Sequence, residues 1–314
     1  MHHYLGVDVG SISAKGVIID HAYNVLAECY LRTQGRPIDA IKEVLHNIKN
    51  NSSKPLRISG VGTTGSARRL AGVMLNADVV KNEIIAHAIA ACHFYNDVNT
   101  IIEIGGQDSK LIIIRDSIPI DFAMNTVCAA GTGSFLDHQA IRLGLPIEEF
   151  GTLALAAKSR VHIASRCTVF AESDMIHKTQ LGIERNDVIA GLCDAIVRNY
   201  LTVLAKGKDI RPRILFQGGV AANQGVKLAF EKALGMNVEV PKYFLTMGAI
   251  GAAMIASLDS RRTSGFLGFE ESIEQKFNSR GFECHDCPNQ CEIVEFVRGR
   301  KVIARYGSRC GKWE

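Results

Sequence analysis

The stretch Thr100-Ile101-Ile102-Glu103-Ile104-Gly105-Gly106-Gln107-Asp108-Ser109-Lys110-Leu111-Ile112-Ile113-Ile114 decides the fold. An apolar run reaches an acid and a glycine pair, turns, and continues as a second apolar run: two strands joined by a short loop. The same order occurs earlier. Residues 4–9 read as a buried strand, and Asp8-Val9-Gly10-Ser11-Ile12-Ser13-Ala14-Lys15-Gly16-Val17-Ile18-Ile19-Asp20 makes a hairpin with a turn of small residues, hydroxyls and one lysine. Backbone N–H groups in such a turn can cradle phosphates, Lys15 can neutralise them, and Asp8 at the strand end can hold Mg²⁺ through water. A single Gly/Ser turn is most often only a turn. Two of them, near Asp8 and near Asp108, point to a duplicated fold whose halves face one nucleotide.

Outward from the two hairpins, Ile38 to Ile48 has helical spacing, with Ile41, Val44, Leu45 and Ile48 on one face. Leu56 to Val61 reads as a short strand, and Gly60-Val61-Gly62-Thr63-Thr64-Gly65 as another small-residue loop. Asn82 to Ala88 looks helical and carries Glu83 as a surface or capping residue. A third glycine-pair loop, Leu215-Phe216-Gln217-Gly218-Gly219-Val220-Ala221-Ala222-Asn223, follows a strand and opens a helix. Thr246 to Ala253 begins a small-residue helix able to pack closely across a domain junction.

The cysteines form a second pattern. In Asn125-Thr126-Val127-Cys128-Ala129-Ala130-Gly131-Thr132-Gly133-Ser134-Phe135-Leu136-Asp137, one cysteine stands at the mouth of a turn that runs into a helix marked by Phe135, Leu136 and Ala140. A thiolate there faces free N–H groups and the positive end of a helix, which lower a thiol pKa. Ser165-Arg166-Cys167-Thr168-Val169-Phe170-Ala171-Glu172-Ser173-Asp174 repeats the arrangement. Two helix-mouth cysteines are half the ligand set of a [4Fe-4S] cluster, and a twofold homodimer supplies the other half. A lone cysteine is more often a small buried hydrophobe, the reading for Cys29, Cys92 and Cys193 in their apolar surroundings.

From Asp259 to Lys276 the chain turns polar and reads as a linker, before Cys284-His285-Asp286-Cys287-Pro288-Asn289-Gln290-Cys291 and a later Cys310. Four thiols in that spacing suit Zn²⁺ or a second iron–sulfur cluster. Arg298, Arg300, Lys301, Arg305, Arg309 and Lys312 read as one solvated side of a hairpin, with a docking face for an acidic partner as the other reading.

Composition bounds the rest. With 314 residues and 47% hydrophobic content the chain can build one or two globular domains. A net charge of +4, spread along the chain, gives no support to a nucleic-acid or membrane partner. Phe244 to Leu258 comes nearest to an apolar span but is too short and too rich in Gly and Ala. Met1-His2-His3-Tyr4 opens no apolar leader segment, so a cytoplasmic protein is expected, in which nine cysteines mean metal or redox sites rather than disulfides.

Three phosphate- or nucleoside-type loops in this order, each at a strand end, resemble the actin, sugar-kinase and Hsp70 ATPase superfamily. With Cys128-Ala129-Ala130-Gly131-Thr132-Gly133 and Ser165-Arg166-Cys167 added, residues 4–258 resemble the activator (component A) of 2-hydroxyacyl-CoA dehydratases and the related benzoyl-CoA reductase ATPase subunits. That resemblance implies an α/β fold of two similar lobes with the nucleotide between them, plus a small cysteine-rich C-terminal module. The lobes would be 1–98, with 244–258 returning to it, and 99–243; the module would be 259–314.

It also implies roles. Asp8 and Asp108 would order Mg²⁺, and Gln107 would orient the attacking water. ATP or ADP would lie against Gly10, Ser11, Ile12, Ser13, Ala14 and Lys15, against Gly105 and Gly106, and against Gln217, Gly218, Gly219, Ala221 and Asn223. Cys128 and Cys167 of both subunits would hold one [4Fe-4S] cluster, fed by a ferredoxin or flavodoxin. ATP hydrolysis would drive one low-potential electron into a separate iron–sulfur acceptor protein, such as a dehydratase or reductase component. A small-molecule kinase of the same superfamily is the alternative, but leaves the two helix-mouth cysteines unexplained. A nucleotide-gated binding or chaperone protein with structural zinc alone is a third reading.

Overall fold

The computed structural model describes residues 2–51, 57–125, 128–259 and 263–313. Two compact units emerge, Met1–Ala86 with Gly248–Glu314, and His87–Met247. In the first, β1 (His3–Val9) and β2 (Ser13–Asp20) pair antiparallel, and β3 (Val25–Arg32) adds to β2. β1 and β2 are apolar and largely buried on both faces, whereas β3 alternates in and out, as an edge strand with one wet face does. Helix α1 (Pro37–Asn51) lays Ile41, Val44, Leu45 and Ile48 on the sheet, the stripe that the spacing predicts. β4 (Ile58–Thr64) then runs parallel to β1, α2 (Arg68–Leu75) follows, and β5 (Val79–Val80) closes the order β3-β2-β1-β4-β5. Leu56, the expected start of the strand, lies outside the described residues.

The second unit repeats the plan. After α3 (Glu83–Phe94), which contains the boundary between the units, β6 (Thr100–Ile104), β7 (Ser109–Arg115) and β8 (Ile118–Asn125) form an antiparallel meander. The chain continues through α4 (Gly133–Leu143), α5 (Ile147–Leu155), α6 (Thr168–Gln180) and α7 (Arg185–Leu204). β9 (Ile214–Gln217) returns parallel to β6, and α8 (Gln224–Leu234) and β10 (Val238–Glu239) complete the sheet. Its order, β10-β9-β6-β7-β8, matches the first sheet strand for strand. Helix α7 is buried along most of its length, and its Tyr200 meets Phe230 edge-on at 5.3 Å.

Helix α9 (Met247–Ser257) brings the chain back to the first unit. A Cβ added to Gly6 would come within 1.8 Å of the Ala249 carbonyl oxygen, and one added to Gly62 within 2.0 Å of that of Ala252. The helix backbone therefore lies directly on β1 and β4. Gly60 to Thr64, expected as a loop, is strand, and its glycines make room for the helix rather than a turn.

The expected polar linker is also anchored. Ser264 and the Gly265 N–H donate to Asp78, and α10 (Phe269–Glu274) buries Phe269 in the core of the first unit. β11 (Asn278–Glu283), β12 (Glu292–Arg298) and β13 (Lys301–Tyr306) then make a three-stranded antiparallel sheet whose Phe296 joins that same core. Among the described residues no helix is long and apolar enough to cross a membrane.

Candidate functional site

The two hairpins share one construction at residue level. In the first, the Gly10 N–H donates to the Ser13 carbonyl at 2.9 Å, and Asp8 lies directly opposite Lys15. In the second, the Gly105 N–H donates to the Asp108 carbonyl at 3.0 Å, and Glu103 lies directly opposite Lys110. Each acid is bonded to its lysine, at 3.1 Å for Asp8–Lys15 and 2.9 Å for Glu103–Lys110. The counterpart of Asp8 is therefore Glu103, not Asp108, whose own counterpart is Ser13. Sequence reasoning missed Glu103 and Lys110 as members of the site because they sit inside an apolar run. The signal was the shared spacing of seven between acid and lysine in both hairpins.

Lys110 is buried and reaches two carboxylates, Glu103 and Asp108 (3.0 Å), while Tyr200 donates to its carbonyl at 2.7 Å. Glu103 is therefore neutralised inside the unit, and Asp108 stays partly exposed at the turn. Gln107 stands exposed at the tip. In the first hairpin Ser11 is exposed and Gly10, Ile12 and Lys15 half-buried, whereas Ser13 and Ala14 are buried within β2. Thr33 holds this turn from behind by donating twice: its hydroxyl to the Ser11 carbonyl and its N–H to that of Ile12.

The third loop touches the second hairpin. Gly218 has φ +85°, and a Cβ on it would stand 2.4 Å from the Ile104 carbonyl and 2.7 Å from the Glu103 carboxylate. Only glycine fits there. Before it, Gln217 is fully buried, with Oε1 2.7 Å from His87 Nδ1 and Nε2 unbonded. Gly219 is exposed. Ala221 is buried, and Asn223 caps α8 by accepting from the Val226 N–H at 3.1 Å.

Cys128 stands at the mouth of the turn that leads into α4, as expected. It precedes a 3₁₀ turn, Ala129–Gly131, and α4 starts beyond that; Thr126 and Val127 lie outside the described residues. Asn125 brackets Cys128, accepting from its N–H at 3.0 Å and donating to its carbonyl at 2.7 Å. The first free N–H groups of α4 are spent on the phosphate-type turn: Gly133 donates to the Gly105 carbonyl and Ser134 to that of Gly106, both at 2.8 Å.

Cys167 sits directly at the mouth of α6, as expected, in extended conformation. Asn199 on α7 serves both cysteine turns. Its Nδ2 donates to the Ser165 carbonyl at 2.6 Å, and its Oδ1 occupies the space a Cβ on Gly131 would need. Arg142 of α4 pairs with Glu172 of α6. Both thiols are free and half-buried. Cys193, by contrast, is fully buried in the core, and burial pushes its thiol up to about 12.

Residues 5–256 match the BadF/BadG/BcrA/BcrD ATPase family. The chain belongs to this family. The (R)-2-hydroxyglutaryl-CoA dehydratase activating ATPase of Acidaminococcus fermentans is 35% identical over 258 residues, which are 80% of this chain and 96% of that protein. The solved activator of the 2-hydroxyisocaproyl-CoA dehydratase from Clostridium difficile, with bound ADPNP, aligns with TM-score 0.76 and 29% identity, over 87% of this chain and 96% of that one. A ROK family glucokinase from Streptomyces griseus, at 13% identity and TM-score 0.51, shares the fold alone. The hairpins thus belong to an ATPase of this family with the actin and sugar-kinase type of fold.

The cysteine-rich tail lies beyond the family match, and the expected four-thiol site is not assembled there. Among the described residues no three His, Cys, Asp or Glu side chains come together as a metal-holding group. Cys284 and Cys291 are joined through backbone, N–H to carbonyl at 2.8 Å. The Cys284 sulfur is buried, 3.2 Å from Asp286 and accepting from the Trp313 indole N–H at 3.2 Å. Cys287 and Cys310 are exposed. In this arrangement the Cys284 sulfur is engaged by a carboxylate and an indole rather than by other thiols.

Proposed function

We propose that this chain is an ATP-hydrolysing activator of a 2-hydroxyacyl-CoA dehydratase or related acyl-CoA reductase, working as a homodimer with one [4Fe-4S] cluster. One observation carries the reading. Gly105 and Gly106, in the turn proposed to hold phosphates, are hydrogen-bonded through their carbonyls to the first N–H groups of α4, the helix that follows Cys128. A turn that responds to the nucleotide cannot shift without pulling on the segment that carries a cluster thiol.

The donors present suit both groups. Gly218 leaves no room for a Cβ and Gly105 brings its turn backbone up bare of one, so backbone can approach a phosphate or nucleoside closely, and the unbonded Nε2 of buried Gln217 is a donor awaiting a partner. Cys128 and Cys167 are free, half-buried thiols at capping positions, with Asn199 bonded to the Cys167 turn and packed against the Cys128 turn. Two thiolates from each of two chains complete a four-thiolate set. Val169 and Phe170, just beyond Cys167, are each 65% exposed, an apolar border suited to a second copy.

In hydrolysis, Gln107 at the exposed tip orients a water toward the γ-phosphorus; the new P–O bond forms as the bond to the β-phosphate oxygen breaks. Lys15 and the turn N–H groups of Ser11 and Ile12 offset the phosphate charge, and Asp8 and Asp108 would hold Mg²⁺ through water. The cluster, when bound, supplies a one-electron carrier. Around it the chain's own work is to hold Cys128 by Asn125, to hold the Cys167 turn by Asn199, and to pass strain from Gly105–Gly106 into α4.

Asp8→Ala tests the reading. Mg-dependent ATP hydrolysis should fall roughly 10²–10³-fold, while iron content in anaerobically prepared protein stays at the parent level. Parent-rate hydrolysis would remove the first hairpin from the site.

A further inference from the structure

Helix α2 and strand β13, both in the first unit, wall an open groove of about 1030 Å³. Its lining carries Arg68, Arg69, Lys81, Arg298, Lys301 and Arg305, and among the described residues that line it there is no Asp, no Glu and no aromatic ring. Three of the guanidinium groups are held in place. Arg68 donates to the Gly65 carbonyl, Arg298 to Gln275, and Arg305 to Glu295, with its face over the Trp313 ring. Lys81 and Lys301 are exposed. Between the charges lie apolar side chains, among them Val73 and Val80, 37% and 40% exposed.

Strand β13 is the edge of its sheet, in the order β11-β12-β13. Five consecutive residues, Lys301 to Arg305, line the groove. Side chains alternate across a strand, so residues of both faces can border one groove only where it runs along the strand's edge. Ile303 and Ala304 line the groove and also pack on the core of the unit. An unpaired strand edge is a template for another strand.

We propose that this groove docks an extended acidic segment of a protein partner, which adds as a strand to β13 and sets its carboxylates against the basic rim. The charges are spread out rather than convergent. Lys301 and Arg305 alone stand about 13 Å apart at ~3.3 Å per residue. That spread suits carboxylates repeated along a peptide better than one phosphate group, and the apolar wall takes the alternate side chains. A groove with no aromatic ring offers no stacking platform to nucleic-acid bases. One wall lies beyond the family match at residue 256, so the inference does not rest on the ATPase reading.

The test is fluorescence anisotropy on the full-length protein with a labelled peptide of four Glu-Val repeats. Saturable binding that weakens as salt rises is expected. The double variant Lys81→Glu/Lys301→Glu alters two exposed side chains outside the ATPase turns, so it should keep its fold and basal ATP hydrolysis. It should lose about tenfold or more in affinity for this peptide, while a Lys-Val repeat peptide should bind neither protein. A Glu-Pro repeat peptide, equally charged but unable to pair as a strand, should bind about tenfold more weakly. Equal binding of the Glu-Pro peptide overturns strand addition. Displacement of the peptide by coenzyme A or by an oligonucleotide at lower concentration than by unlabelled peptide overturns the ligand class. No saturable binding of the Glu-Val peptide overturns the proposal outright.

Discussion

Each hairpin sets an acid directly across from a lysine, Asp8 against Lys15 and Glu103 against Lys110, and burial separates their uses. Lys15 and Asp8 keep side-chain exposures of 17% and 6%, while Lys110 and Glu103 keep 1% and 7%. Removing one member of the deeper pair strands a charge, so Lys110→Met should lower stability by about 3–5 kcal/mol in urea unfolding. Glu103→Leu/Lys110→Met together should recover most of it. If the single variant is as stable as the parent, the pair is not a buried ion pair. Cys310 makes the opposite point at the surface. The Lys312 backbone N–H and the Ser308 hydroxyl hold its exposed thiol below the ordinary range. A lowered pKa means more thiolate near neutral pH, so iodoacetamide should modify Cys310 faster than Cys284 at pH 7 by peptide mass mapping. A metal in the tail would protect both equally and contradict the geometry described.

At the scale of elements, what was legible followed local periodicity. The strands around both turns, helix α1 and the mouth of α6 at Cys167 can all be read from spacing, because the forces that set them act within a few residues. What was not legible depends on contacts far apart in the chain. Gly60 and Gly62 carry the local signature of a turn, and only the carbonyls of α9 reveal them as strand. Residues 259–276 have a linker's composition, yet Phe269 is held in the core alongside Phe296 of a later strand. The packing of α9 gives a direct test. Gly62→Ala should cost about 3 kcal/mol or more, because its Cβ meets backbone that cannot give way. Gly35→Ala, at φ +74° with open space around it, should cost only the left-handed strain of about 1–2 kcal/mol. Equal costs would mean that α9 does not lie on β4.

For the molecule as a whole, duplication explains why one chain carries two acid–lysine hairpins: both sheets share one strand order, and both turns close with the same hydrogen bond. Only the second copy has acquired α4 to α7, and with them both helix-mouth cysteines. In the proposed mechanism, the bonds from Gly133 and Ser134 to Gly105 and Gly106 make the second turn the route from nucleotide to the thiols. The most direct measurement is a redox titration of the anaerobic, iron-containing protein in Mg-ADP and in Mg-ATP. The account predicts about four irons per dimer, and a midpoint potential that moves between the two nucleotides by roughly 60 mV or more, a tenfold change in a one-electron equilibrium. Iron that titrates at one potential in both nucleotides, or a folded dimer without iron, would contradict it.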